Sequence, residues 1–88
     1  AARLRLRTSG QGSLVFAVGE DWDRAVPRVL PTGWVMLDQW LDLSTGNTFW
    51  SQYNNQPTGR AGSAVTVRVT APANDQWNLA AVELKGGD

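Results

Sequence analysis

Residues 64–70, Ala-Val-Thr-Val-Arg-Val-Thr, place valine at every second position. A pleated strand sends alternate side chains to opposite faces. The run therefore predicts a strand with Val65, Val67 and Val69 buried and Thr66, Arg68 and Thr70 in water. Residues 3–8 follow the same rule, with Leu4 and Leu6 on one face and Arg3, Arg5 and Arg7 on the other. Three arginines against two leucines predict an edge strand whose charge blocks stray pairing. Four more segments have strand length: 13–18, 34–41, 48–53 and 77–84. Turn-forming residues bound them: Gly10 and Gly12, then Pro31-Thr32-Gly33, Ser44-Thr45-Gly46-Asn47 and Pro72-Ala73-Asn74-Asp75. Residues 20–28 leave room for one helical turn capped by Asp21, and Pro27 forbids a longer helix. The expectation is an all-β fold, an antiparallel β-sandwich of about six strands in one domain spanning 1–88, its core at about 12–84.

The chain has 88 residues, and a domain of that size buries only about 60–65% of its unfolded surface. Six strands make a lean sandwich, so burial is expected to be borrowed from a neighbouring domain or a second copy. The sequence starts Ala-Ala-Arg without methionine, which suggests a piece of something longer. It has no apolar run of about 18 residues, so no membrane insertion is expected. Eight basic residues balance eight acidic ones, which argues against nucleic acid as a partner. Cysteine and histidine are both absent, which removes disulfides, thiol chemistry and the usual zinc ligands. No histidine can serve as a base for a nucleophile, and a sandwich this small leaves little material to wall a two-carboxylate cleft. The chain is therefore read as a protein that is not an enzyme.

Five tryptophans are the unusual count. If Val35, Leu37 and Leu41 form the core face of strand 34–41, then Trp34, Asp38 and Trp40 point outward. If Phe49 and Tyr53 face the core on strand 48–53, Trp50 and Gln52 join them. Indoles flanked by carboxylate and amide groups suit a sugar ring, whose CH groups stack while its hydroxyls hydrogen-bond. Trp34, Asp38, Trp40, Trp50, Gln52 and Tyr53 are the candidate carbohydrate site. The opposite assignment also fits, because both faces of these strands carry apolar residues; the indoles are then core and the other face is covered by a second layer or subunit.

The stretch Gly19–Val29 sets Glu20, Asp21 and Asp23 around Trp22. With Asp75 these carboxylates offer hard oxygen ligands for calcium, although no acidic calcium-loop pattern is present. The favoured reading is structural: the carboxylates stop a strand and start a turn capped by Asp21 or Asp23, with arginine balancing the charge and Trp22 closing one end of the core.

The segments "GSLVFAVGEDWDRAV" (12–26), "GNTFWSQ" (46–52) and "APANDQWNLAAVEL" (71–84), in this order and spacing, resemble part of an immunoglobulin-like β-sandwich module repeated in large exported bacterial surface proteins. The matching stretch corresponds to the C-terminal half of that module. Glu20 departs from the resemblance, standing where the module carries asparagine, which weakens any ligand role there. The resemblance implies a secreted or cell-surface module without catalysis, serving adhesion or surface architecture. Its expected partners are a polysaccharide, neighbouring domains or copies of itself. Carbohydrate binding is the favoured activity, and a purely structural, self-assembling module is the alternative.

Overall fold

The computed structural model describes residues 1–86. Six strands form: β1 (Arg3–Arg7), β2 (Leu14–Asp21), β3 (Trp34–Asp42), β4 (Asn47–Asn54), β5 (Ala64–Arg68) and β6 (Trp77–Leu84). Four of them make one sheet in the order β3-β4-β2-β6, and β1 pairs with β5 to make the second. Every pairing is antiparallel. The molecule is an antiparallel β-sandwich.

Burial alternates as the valine run predicts. Val67 and Val69 are buried, while Thr70 and Arg68 face water. From the facing sheet, Val15 and Ala17 of β2 meet Val67, with Leu4, Leu6, Trp34, Val65 and Ala81 packed around them. A second cluster at the other end joins Trp50, Val69 and Ala2, flanked by Leu30, Met36, Trp77 and Leu79. The small layer gains a third rung outside its two strands. Val29 pairs with Ala71, donating its N–H to the Ala71 carbonyl at 2.9 Å and accepting from Thr70 N–H at 2.7 Å.

No helical turn forms at 20–28. Strand β2 runs on through Asp21, whose buried carboxylate accepts the N–H groups of Asp23 at 2.7 Å and Arg24 at 3.1 Å. Local side-chain acceptors of this kind compete with a helix for the same backbone donors. Loop 43–46 joins β3 to β4, with Gly46 N–H donating to the Asp42 carbonyl at 2.9 Å. Gly46 has φ 75°, a conformation that side chains with a β-carbon rarely adopt.

The turn between β1 and β2 is clamped by a single carboxylate. Glu83 of β6 accepts Ser9 N–H at 2.8 Å, Gly10 N–H at 2.9 Å and Ser13 Oγ–H at 2.6 Å. The Ser13 hydroxyl first, then the Ser9 and Gly10 amides, hold the Glu83 carboxyl down at about 2. A depressed folded-state value means the clamp stabilises fully above the ordinary glutamate value and is lost as pH falls toward 2. The Glu83→Gln variant is therefore expected to be less stable than the parent at neutral pH, with the gap closing between about pH 4.5 and 2. Urea midpoints recorded across that range check it; a gap that stays constant would show that the carboxylate charge is irrelevant.

Candidate ligand-binding face

The inner face of the four-stranded sheet is covered by the β1–β5 layer. Its outer face is bare. Cross-strand register sorts that face into rows running across the strands. Val35, Tyr53, Phe16 and Val82 share one row; Asp38, Ser51, Val18 and Ala80 share the next; Trp40, Phe49, Glu20 and Asn78 share the third. The first and third rows are tall and aromatic. Phe16 stacks on Tyr53 with ring centroids 5.4 Å apart, and Trp40 meets Phe49 at 5.8 Å. Small side chains occupy much of the middle row, so a trough crosses the sheet between the two aromatic walls. It opens as a groove of about 480 Å³ bordered by Trp40, Phe49, Asp38, Ser51, Glu20 and Asn78. A smaller hollow of about 120 Å³ continues it over Phe16, Val18, Ala80 and Val82. Trp40 is 62% exposed, and Val18, Val82, Leu84 and Leu37 are each more than half exposed. With strands about 4.8 Å apart and about 3.3 Å per residue, the patch covers about 400 Å². Part of that area is polar, contributed by Asp38, Ser51, Glu20 and Asn78, and exposed apolar surface rimmed by polar residues marks binding sites.

A β-bulge decides which tryptophans reach this face. The β3–β4 register shifts between Met36 and Asp38, so Leu37 is an extra residue on its strand. Alternation across it is inverted. Trp34 and Met36 point inward, Asp38 and Trp40 outward. The six candidate sugar residues thus divide. Asp38, Trp40 and Tyr53 lie on the outer face, whereas Trp34 packs in the core and Trp50 and Gln52 are buried. Phe49 and Tyr53, which one of the two assignments put in the core, are the residues that face out. Burial of Trp50 has a specific cause. Its indole lies over Gly19 on the neighbouring strand, where a β-carbon would sit 2.7 Å from Cε2 and nearer still to two other ring atoms. Its Nε1–H donates to Gln52 Oε1 at 2.9 Å, and the Gln52 amide reaches the Arg68 carbonyl at 3.3 Å. An indole needs both an apolar bed and a partner for its N–H, and this one finds both inside.

Glu20, Ser51, Asn78 and Phe49, none of them a candidate sugar residue, line the groove together with Asp38, Trp40 and part of the otherwise buried Trp50. Their signal was available in β2, where Asp21 must point inward to cap its turn and Glu20 must therefore point out. The pairing of Glu20 with Asn78 and Phe49 was not available, because register is a tertiary property.

The carboxylates weighed for calcium, Glu20, Asp21, Asp23 and Asp75, do not form one cluster of ligands among the described residues. Glu20 and Asp21 are consecutive on a strand and face opposite sides of the sheet. Asp21 Oδ2 receives Arg28 Nη1 at 2.5 Å, both side chains being almost wholly buried. Asp75 is taken by Arg24, which contacts it through Nε at 2.9 Å and Nη2 at 2.7 Å. Asp23 Oδ2 accepts Gln76 N–H. Burial raises the Asp21 carboxyl, but the Asp75 side chain, the Arg28 guanidinium and the Asp23 and Arg24 amides more than offset it, leaving the group below its ordinary value. No cluster of three acidic groups able to hold a metal exists among the described residues. Trp22 is 42% exposed rather than closing the core, its Nε1–H bonded to Gln76 Oε1 at 3.0 Å.

No known protein family matches this chain, and no curated protein or solved structure matches it either.

Proposed function

We propose that this chain is a non-catalytic extracellular module that binds carbohydrate across the outer face of its four-stranded sheet. The observation that carries the reading is the Trp40 groove. One exposed indole lies beside a polar rim of Asp38, Ser51, Glu20 and Asn78, on a floor low enough to admit a flat ring. Sugar CH groups stack on an aromatic face while carboxylate, hydroxyl and amide groups accept or donate to the hydroxyls. The trough runs across strands and is open at both ends, which suits an internal segment of a polysaccharide better than a chain terminus. Support for a non-catalytic role comes from composition: the chain contains neither histidine nor cysteine, and the groove is shallow.

Trp40 and Trp22 are the most exposed indoles. Titrating soluble polysaccharides is expected to shift the fluorescence of Trp40 as sugar excludes water from it. Trp40→Ala removes the central aromatic platform and is expected to weaken binding about thirtyfold, the usual cost of losing a central aromatic anchor. Trp22→Ala leaves affinity unchanged. If no polysaccharide moves the emission, or if Trp40→Ala binds as well as the parent, the carbohydrate reading is wrong.

A further inference from the structure

The two outer faces of the sandwich differ in charge as well as shape. On the two-stranded sheet, Arg3, Arg5 and Arg7 of β1 all point outward with Arg68 of β5 beside them. Arg3 lies directly opposite Arg68 in the register. Like charges facing each other across a strand pair oppose folding, so the Arg3–Arg68 pairing does not stabilise the monomer, whereas Arg7 is engaged within the chain, its Nη1–H donating to the Gly62 carbonyl at 2.6 Å. None of the four forms an ion pair among the described residues, where the pairs present are Arg24–Asp75 and Arg28–Asp21. On the far side of the molecule, Glu20 and Asp38 flank the aromatic groove and likewise lack an ion-pair partner.

We propose that the arginine face of one copy docks on the aromatic groove of the next. Guanidinium groups stack on aromatic rings and pair with carboxylates through the same planar fork, and this face presents both kinds of partner. Inside the molecule the combination already occurs: Arg28 pairs with Asp21 while its Cζ sits 5.2 Å from the centre of the Trp50 ring. Groove-on-groove pairing of two copies is disfavoured, since it would bring Glu20 and Asp38 of both into one dry interface without a cation. The arginine and groove faces lie on opposite sides of the sandwich, so the contact is head-to-tail and repeats into a stack. An area of about 400 Å² per copy is half that of a standard stable interface, so the association is weak and sensitive to salt. This inference does not depend on carbohydrate binding, because its readout is mass without any glycan.

Sedimentation velocity on the intact chain tests it through two charge-reversed variants. Arg3→Glu/Arg5→Glu spoils one face, and Glu20→Arg/Asp38→Arg spoils the other; all four side chains are at the surface of outer faces, so folding is retained and circular dichroism checks it. The parent is expected to gain average mass with concentration and to lose it between 0.05 and 0.5 M salt. Each variant alone stays monomeric. Mixed together, they gain mass again, because the intact groove of one meets the intact arginine face of the other and the two reversed faces are themselves of opposite charge. A parent that is monomeric throughout the concentration series overturns the proposal. So does association that persists in Arg3→Glu/Arg5→Glu but disappears in Phe16→Glu, which would mean that grooves meet each other.

Discussion

Arg28→Met is expected to cost about 3–5 kcal/mol of folding stability, the loss seen when one partner of a buried ion pair is removed and the other charge is stranded. Against a total of about 4–13 kcal/mol for a domain of 88 residues, that leaves the chain close to unfolding at 25 °C. Arg28 is tied at three points, while its buried Nε has no partner among the described residues. Arg28 Nη1 holds Asp21 Oδ2, Nη2 holds the Val26 carbonyl at 2.8 Å, and the Arg28 amide donates to Gln39 Oε1 at 2.7 Å. Thr48 Oγ–H closes the group by donating to the Arg24 carbonyl at 2.8 Å, and Thr48 Oγ in turn accepts Val26 N–H at 3.1 Å. Segment 24–28 therefore hangs from the sheet by polar contacts rather than by packing. The prediction has a sharper second half. Asp21→Asn alone strands the arginine and is equally harmful, but the double variant Asp21→Asn/Arg28→Met buries no charge. Asparagine can still accept the Asp23 and Arg24 amides. The double variant is thus expected to be more stable than either single one by about 1–2 kcal/mol, a coupling that urea denaturation of all four proteins measures. Additive losses would show that the pair is not acting as a pair.

The second large effect is at Gly19 and Trp50. Trp50→Ala is expected to cost about 3–5 kcal/mol, because it empties a cavity at the centre of one core cluster and strips Gln52 Oε1 of its indole donor. Gly19→Ala acts from the opposite direction. The new methyl group meets the indole ring, so the core must shift, at a cost of about 1–3 kcal/mol. Since the two effects share one contact, Gly19→Ala in a Trp50→Leu background is expected to cost markedly less than in the parent. Thermal and urea unfolding decide this, and equal costs in both backgrounds would show that the ring does not press on Gly19. Gly19 and Trp50 also contribute to the lining of the Trp40 groove, so glycan affinity in the folded fraction is expected to fall less for these changes than for Trp40→Ala. That separates the buried tryptophan from the exposed one.

What each tryptophan does follows from these contacts and not from its local sequence. Trp34 and Trp40 stand six apart on one strand, and strict alternation gives them a common face. One extra residue at Leu37 separates them. A bulge leaves little local signature when no glycine or proline marks it, since it arises from how two strands must twist to pair. The same holds for Trp50, for which alternation offered two faces and packing over Gly19 chose the inner one.

By itself the sequence determined the layered all-β architecture. Its alternating valines and leucines admit no other way to hide from water, and its glycine, proline and asparagine clusters force the reversals. It also determined that the carboxylates around Trp22 would stop a strand and start a turn, without choosing between Asp21 and Asp23 as the cap. Only the tertiary structure decided which side of the large sheet is covered, that Arg28 claims Asp21, and that Trp40, Phe49, Glu20 and Asn78 line one trough. These depend on register between strands distant in sequence. Register is fixed by the sum of many cross-strand contacts, none of which any single segment contains.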